Sequence, residues 1–183
     1  MSDYDNDNAA ADGGEAGFDD ASGDEPNVRQ FETEDGGTGY AIDRDHDGIA
    51  DAAAYDDDND GTIDRVAVDT DGNGTLETEL VDLNSDGKFD AVFVDTDDDG
   101  DKDVAGLDSN ADGAIDRVVA DTDDDGTIDT DVRDENFDGA ADYVARDTDG
   151  DGDKDVTVTD ADKDGSFDTV HYDDPSTNPL AQA

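Results

Sequence analysis

From Asp43 to Tyr172 the chain repeats every 13 residues with no insertion or deletion. Ten copies run in register, from DRDHDGIADAAAY at 43 to DADKDGSFDTVHY at 160. Position 1 is always aspartate: Asp43, Asp56, Asp69, Asp82, Asp95, Asp108, Asp121, Asp134, Asp147 and Asp160. Position 3 is Asp or Asn: Asp45, Asp58, Asp71, Asn84, Asp97, Asn110, Asp123, Asn136, Asp149 and Asp162. Position 5 holds Asp47, Asp60, Asn73, Asp86, Asp99, Asp112, Asp125, Asp138, Asp151 and Asp164. Position 9 is again acidic: Asp51, Asp64, Glu77, Asp90, Asp103, Asp116, Asp129, Asp142, Asp155 and Asp168. Position 6 is glycine throughout, from Gly48 to Gly165. Spacing this strict makes each copy one unit of a repeat array, too small to bury a core of its own.

The columns spell out a chemistry. Side chains at positions 1, 3 and 5 of a tight loop converge on one point. Glycine at 6 allows the chain to reverse. The carbonyl of position 7 then turns inward and the acid at 9 closes the set. All donors are oxygen, which suits calcium, a hard cation taking six to eight oxygen ligands, better than zinc or copper. Magnesium holds its waters and demands a stricter octahedron. The expected cofactor is Ca2+, several ions and up to about one per repeat, with the forty residues above as its side-chain ligands.

Charge makes such an ion a condition for folding. There are 58 Asp plus Glu against 10 Lys plus Arg, a formal net charge of −48, and only 32% of residues are hydrophobic. A chain so acidic and so poor in apolar surface is disordered unless something neutralises it. Two carboxylates 4 Å apart repel by roughly 4 kcal/mol at an effective dielectric of 20, and each loop gathers three or four. Ten calcium ions would add about +20, leaving a strongly acidic, soluble protein. An acid-rich proteome would account for excess charge but not for the register. Phosphate would be repelled, so nucleic acid is not an expected partner, and no apolar run is long enough to insert in a membrane. Cations, or a protein or surface of unknown kind, remain as partners.

The loops resemble known families. D-x-D-x-D-G matches the first half of the EF-hand loop, and D-x-[DN]-x-D-G-x-x-D looks like the calcium loops of thrombospondin type 3 and integrin-type FG-GAP repeats. The resemblance covers residues 43–172 and implies ligation through positions 1, 3, 5, 7 and 9. In the eighth copy these are Asp134, Asn136, Asp138, the Ala140 carbonyl and Asp142. No copy has the EF-hand's Glu at position 12, and none has room for flanking helices, so the helix pair and its opening are not inherited.

Positions 7 to 13 read as short strands rich in Val, Ile, Thr and Tyr. A second period of 26 overlies the first. Copies three, five, seven and nine begin Asp-Thr-Asp, while even copies carry Val66, Val92, Val118, Val144 and Val170 at position 11. The expected fold is all-β: a calcium-stabilised β-solenoid or β-roll with 26 residues per coil, similar in plan to the RTX β-roll though lacking its G-G-x-G-x-D loop. The alternative is an antiparallel meander with a calcium loop at each turn. Residues 1–25 are acidic and read as disordered, 26–42 as a possible strand-turn-strand cap, and 173–183 as a degenerate tail.

Other features have bland readings. Thr70, Thr96, Thr122 and Thr148 recur at position 2; a surface-binding ladder is conceivable, but loop-stabilising hydroxyls are the simpler expectation. Lys102 and Lys154 interrupt the apolar run at position 8. His46 and His171 occupy variable positions and read as incidental, and Tyr55, Tyr143 and Tyr172 as strand residues. No nucleophile or singular cleft breaks the pattern, so the expected role is non-enzymatic: a structural spacer or surface-interaction module that folds on calcium, or alternatively a soluble calcium buffer or regulator. Loops without the position-12 Glu should bind weakly, as extracellular modules do at roughly 10⁻⁴–10⁻³ M, which favours an extracellular or cell-surface setting. The acidic N-terminus does not read as a secretory signal, which leaves the cytoplasm open.

Overall fold

The computed structural model describes residues 27–173. The expectations for residues 1–25 and for 174–183 of the tail lie outside them. The molecule divides into two units, Met1–Lys102 and Asp103–Ala183. The described part of the first holds β1 (Asn27–Glu32), β2 (Thr38–Asp43), β3 (Ala52–Asp56), β4 (Arg65–Val68), β5 (Thr78–Val81) and β6 (Ala91–Val94). The second holds β7 (Val104–Leu107), β8 (Arg117–Ala120), β9 (Thr130–Arg133), β10 (Tyr143–Arg146), β11 (Val156–Thr159) and β12 (Thr169–Tyr172). Among the described residues there is no helix.

Within each unit every strand pairs antiparallel with its chain neighbours. This is an all-β meander, and it corrects the solenoid expectation: stacked coils would pair strands in parallel, two copies apart. A nine-residue loop that returns the chain beside itself permits the shorter, hairpin-like connection. The 26-residue period then has a different cause. Successive strands run up and down, so even copies place position 11, and odd copies position 12, in the same cross-strand row. In the second unit that row reads Gly106, Val118, Val132, Val144, Val158, Val170. In the first it reads Ala54, Val66, Leu80, Val92. Direct cross-strand apolar pairs are the unit of sheet stability.

The strands are shorter than the sequence suggests. From β4 onward each covers only positions 10 to 13. Position 7 belongs to the loop, because its N–H is taken by the side chain at position 5, as when Thr62 N donates to Asp60 Oδ1 at 2.7 Å. Position 9 ends the ladder: Asp64 N donates to Tyr55 O at 2.8 Å, and Asp64 O accepts from Asp82 N at 2.7 Å. Position 9 is thereby fixed by backbone bonds to the strands on both sides.

The interior is unusual. Among the described residues the buried apolar ones are Ala41, Ala53, Tyr55, Ala91 and Ala145, whereas fifteen Asp or Glu residues are buried. All but Asp131 of those acids stand at positions 1 or 9, so most of the buried side chains are loop carboxylates. In the first unit Phe31 meets Tyr55 edge-on at 6.0 Å and the Arg65 guanidinium lies 3.9 Å over the Tyr55 ring. In the second, Asp131 is held by Arg117 and Arg133.

Candidate metal centre

Antiparallel strands send successive loops to opposite sheet edges. Numbering loops by copy, loops 2 and 4 share an edge with the β1–β2 turn, and loop 3 lies at the other edge with loop 1. In the second unit loops 6, 8 and 10 share one edge, and loops 7 and 9 the other.

Each loop is built on its position-1 carboxylate. In all ten loops the Gly N–H at position 6 donates to the Oδ2 of position 1, at 2.7 to 3.2 Å. In seven loops Oδ1 accepts the N–H of position 4, for example from Phe137 at 2.7 Å and from Lys163 at 2.7 Å. In all ten, the N–H of position 7 donates to the side-chain oxygen of position 5, at 2.7 to 3.0 Å. The position-9 carboxylate accepts the N–H of position 2 in loops 1 to 4 and 6 to 10.

These bonds gather acidic oxygens. Asp43, Asp45 and Asp51 each place one carboxylate oxygen within 4.8 Å of the others, as do Asp56, Asp58 and Asp64, and Asp69, Asp71 and Glu77. Asp95, Asp97 and Asp99 do the same, as do Asp108, Asp112 and Asp116, among eight such groups in the described residues. Positions 1, 3 and 9 meet in loops 1 to 3, positions 1, 3 and 5 in loop 5, and positions 1, 5 and 9 in loop 6. At position 3 of loops 4, 6 and 8, Asn84, Asn110 and Asn136 instead donate an amide Nδ2–H to Asp90, Asp112 and Asp138. Two carboxylate oxygens in these groups, Asp56 Oδ1 and Glu77 Oε2, are buried with no hydrogen-bond partner. A buried, unpartnered carboxylate oxygen is costly, and a cation is the partner its charge calls for.

Several loop carboxyls are shifted, in two directions. Burial pushes Asp69 and Asp82 upward, but the backbone N–H groups around each outweigh it and both carboxyls lie below their ordinary value. Asp129 is lowered by the Thr122 hydroxyl and N–H. Position 3 goes the other way. Asp123 is raised by desolvation and by the charges of Asp129, Asp125 and Asp121; Asp149 by desolvation, Asp151 and Asp155; Asp162 by Asp164 and Asp168 with desolvation. Asp69, Asp82 and Asp129 are thus held as anions by donors, while Asp123, Asp149 and Asp162 carry unrelieved repulsion.

Two features, the backbone at position 4 and the lysine ties, escaped the sequence reading, while the loop-stabilising role expected of the position-2 hydroxyls is borne out. Position 4 has a positive φ in every loop: 60° at Asn59, Ala111, Asp124 and Lys163, 62° at Phe137, with glycine only at Gly72 and Gly150. Those two glycines were the available signal. The recurring hydroxyls at position 2 donate to the position-9 carboxylate, Thr122 at 2.6 Å and Thr148 at 2.5 Å, with Thr70 bonded likewise to Glu77. Finally, Lys102 Nζ reaches Glu77 O at 3.3 Å and Lys154 Nζ reaches Ile128 O. Each lysine ties its loop to the preceding loop on the same edge. His46 is one of the positive-φ residues, and His171 pairs with Asp173 at 2.9 Å.

No protein-family model, no curated protein and no solved structure matches this chain.

Proposed function

We propose that this chain is a non-enzymatic calcium-binding repeat protein that folds on calcium and serves as a structural spacer or surface-interaction module. One observation carries the reading. The backbone of each loop is spent organising carboxylates, and the resulting clusters leave buried oxygens, Asp56 Oδ1 and Glu77 Oε2, with no donor. Donors that are all oxygen, several of them charged, suit calcium. Binding there supplies folding free energy that five small or aromatic buried apolar residues do not.

Calcium titration of the chelator-treated chain, followed by far-UV circular dichroism with magnesium as the control, tests this. Disorder in chelator and β-structure on adding calcium is the expected result. A spectrum indifferent to both ions would sink it. Midpoints near 10⁻⁴–10⁻³ M fit a module outside the cell, whereas micromolar binding favours a buffer or regulator.

A further inference from the structure

Besides the position-8 lysines, the variable position 4 is a place where one loop touches another. At Lys163 and Asp98 the left-handed backbone brings the side chain to the loop two copies earlier on the same edge. Lys163, in loop 10, places Nζ 3.1 Å from Asp142 Oδ2 and 3.6 Å from Glu135 Oε2 of loop 8. Asp98, in loop 5, accepts a hydrogen bond from Asn73 Nδ2 of loop 3 at 2.7 Å. Asn59, in loop 2, donates to Gly36 O of the β1–β2 turn on its edge at 2.9 Å. Gly150, in loop 9, has no side chain, but a Cβ there would lie 3.7 Å from Asp125 Oδ2 and 3.9 Å from Asp123 Oδ2 of loop 7. Three side chains and one glycine at one repeat position thus face the preceding turn or loop on their own edge.

We propose that position 4 sets the cation affinity of the loop two copies before it, with Asp98 strengthening loop 3 and Lys163 weakening loop 8. The inference rests on the calcium reading above. Loop 3 holds Glu77, whose Oε2 is buried and unpartnered, and Asp98, hydrogen-bonded to Asn73 of that loop, adds one more carboxylate to it. Loop 8 carries an amide at Asn136 in place of an acid, and its Asp142 already shares an oxygen with an ammonium. A calcium ion entering loop 8 meets that fixed positive charge, whereas one entering loop 3 meets added negative charge. Loops 3 and 8, near-identical in ligand sequence, become unequal through a residue outside the ligand set. Coupling of this kind also links sites along an edge, since filling one loop acts on the side chain of the next.

The position-6 glycine amides report on each loop separately, because each is bonded to the position-1 carboxylate. The test is a calcium titration of the ¹⁵N-labelled full chain followed at Gly74 (loop 3) and Gly139 (loop 8), with Gly61 and Gly126 on the opposite edges as internal references. Asp98→Asn should raise the Gly74 midpoint on the order of tenfold, and Lys163→Met should lower the Gly139 midpoint by a similar factor. Lys163→Arg, which keeps the charge, should leave the Gly139 midpoint at its wild-type value. Normal titration with both midpoints unmoved by Asp98→Asn and Lys163→Met overturns this inference alone. No response of any glycine amide to calcium overturns the calcium reading and this inference with it.

Discussion

The Gly113 amide donates to Asp108 Oδ2 at 2.7 Å, and it does so with φ at 95°. A Cβ at Gly113 would meet nothing within 4 Å, so space does not exclude alanine there; backbone strain does. Gly113→Ala should therefore destabilise the protein by about 1–3 kcal/mol. In the same loop Ala111 already sits at φ 60°, within the left-handed well that L-residues reach at a modest cost. Ala111→Gly exchanges that strain for unfolded-chain entropy and should change stability by less than about 1 kcal/mol. Urea unfolding of both variants at saturating calcium measures the difference. Equal losses at the two positions would mean that the glycine column does not arise from φ.

Thr148 donates its hydroxyl to Asp155 Oδ2 at 2.5 Å, alongside its backbone N–H at 2.7 Å. Asp155 is buried, so removing the hydroxyl leaves a carboxylate less satisfied. Thr148→Val should cost about 1 kcal/mol and Thr148→Ser should recover most of it. Thermal unfolding of the two variants decides between this role and a surface-presentation role, for which valine would be tolerated in stability.

The repeat was fully legible because loop chemistry acts within nine residues: the acids at 1, 3, 5 and 9 and the glycine at 6 all answer to local geometry. Strand direction was not. Val66 and Val92 mark a 26-residue period, but stacked coils and an up-down meander both produce it, and only the pairing of Val66 with Leu80 and Leu80 with Val92 separates them. Strand length was overread because Thr62 and Thr75 have strand-like character while their N–H groups serve Asp60 and Asn73. Position 4 stayed hidden because its side chain acts two copies away, on a neighbour that exists only once the edges are known.

Acid should act on the calcium-depleted protein in two opposed steps. Asp131 lies between Arg133 and Arg117, and although desolvation works against them, they hold its pKa at about 2 against an ordinary 3.8. A depressed folded-state value stabilises above the unfolded value and is lost as pH falls from near 3.8 toward 2. Asp123, Asp149 and Asp162 are raised. Their contribution is fully present below the unfolded value and is lost as pH rises through the folded one. Order in the calcium-depleted chain should therefore grow as pH drops from neutral toward about 4, then decline. Far-UV circular dichroism across that range measures it, and Asp131→Asn should make the lower limb shallower while sparing the upper rise. A monotonic loss of order from neutral pH downward would contradict the assigned repulsion at position 3.

Asp56 offers the sharpest separation between a structural acid and a ligand. Its Oδ2 accepts the Gly61 N–H at 3.1 Å, a bond that an asparagine oxygen can also accept. Its Oδ1 is buried without a partner, beside the carboxylates of Asp58 and Asp64. Without calcium, Asp56→Asn removes a buried charge and its repulsions while keeping the loop-closing bond, so the variant should be at least as stable as the parent. With calcium, the variant forfeits the linkage free energy of one ion, about 2.7 kcal/mol at a hundred times the dissociation constant, and should bind one ion fewer. The sign of the effect therefore inverts between chelator and calcium. Paired unfolding curves under the two conditions, with calcium stoichiometry by equilibrium dialysis, measure it. A loss of the same size in both would make Asp56 a loop-former only, because a residue that acts through an ion has nothing to lose when the ion is withdrawn.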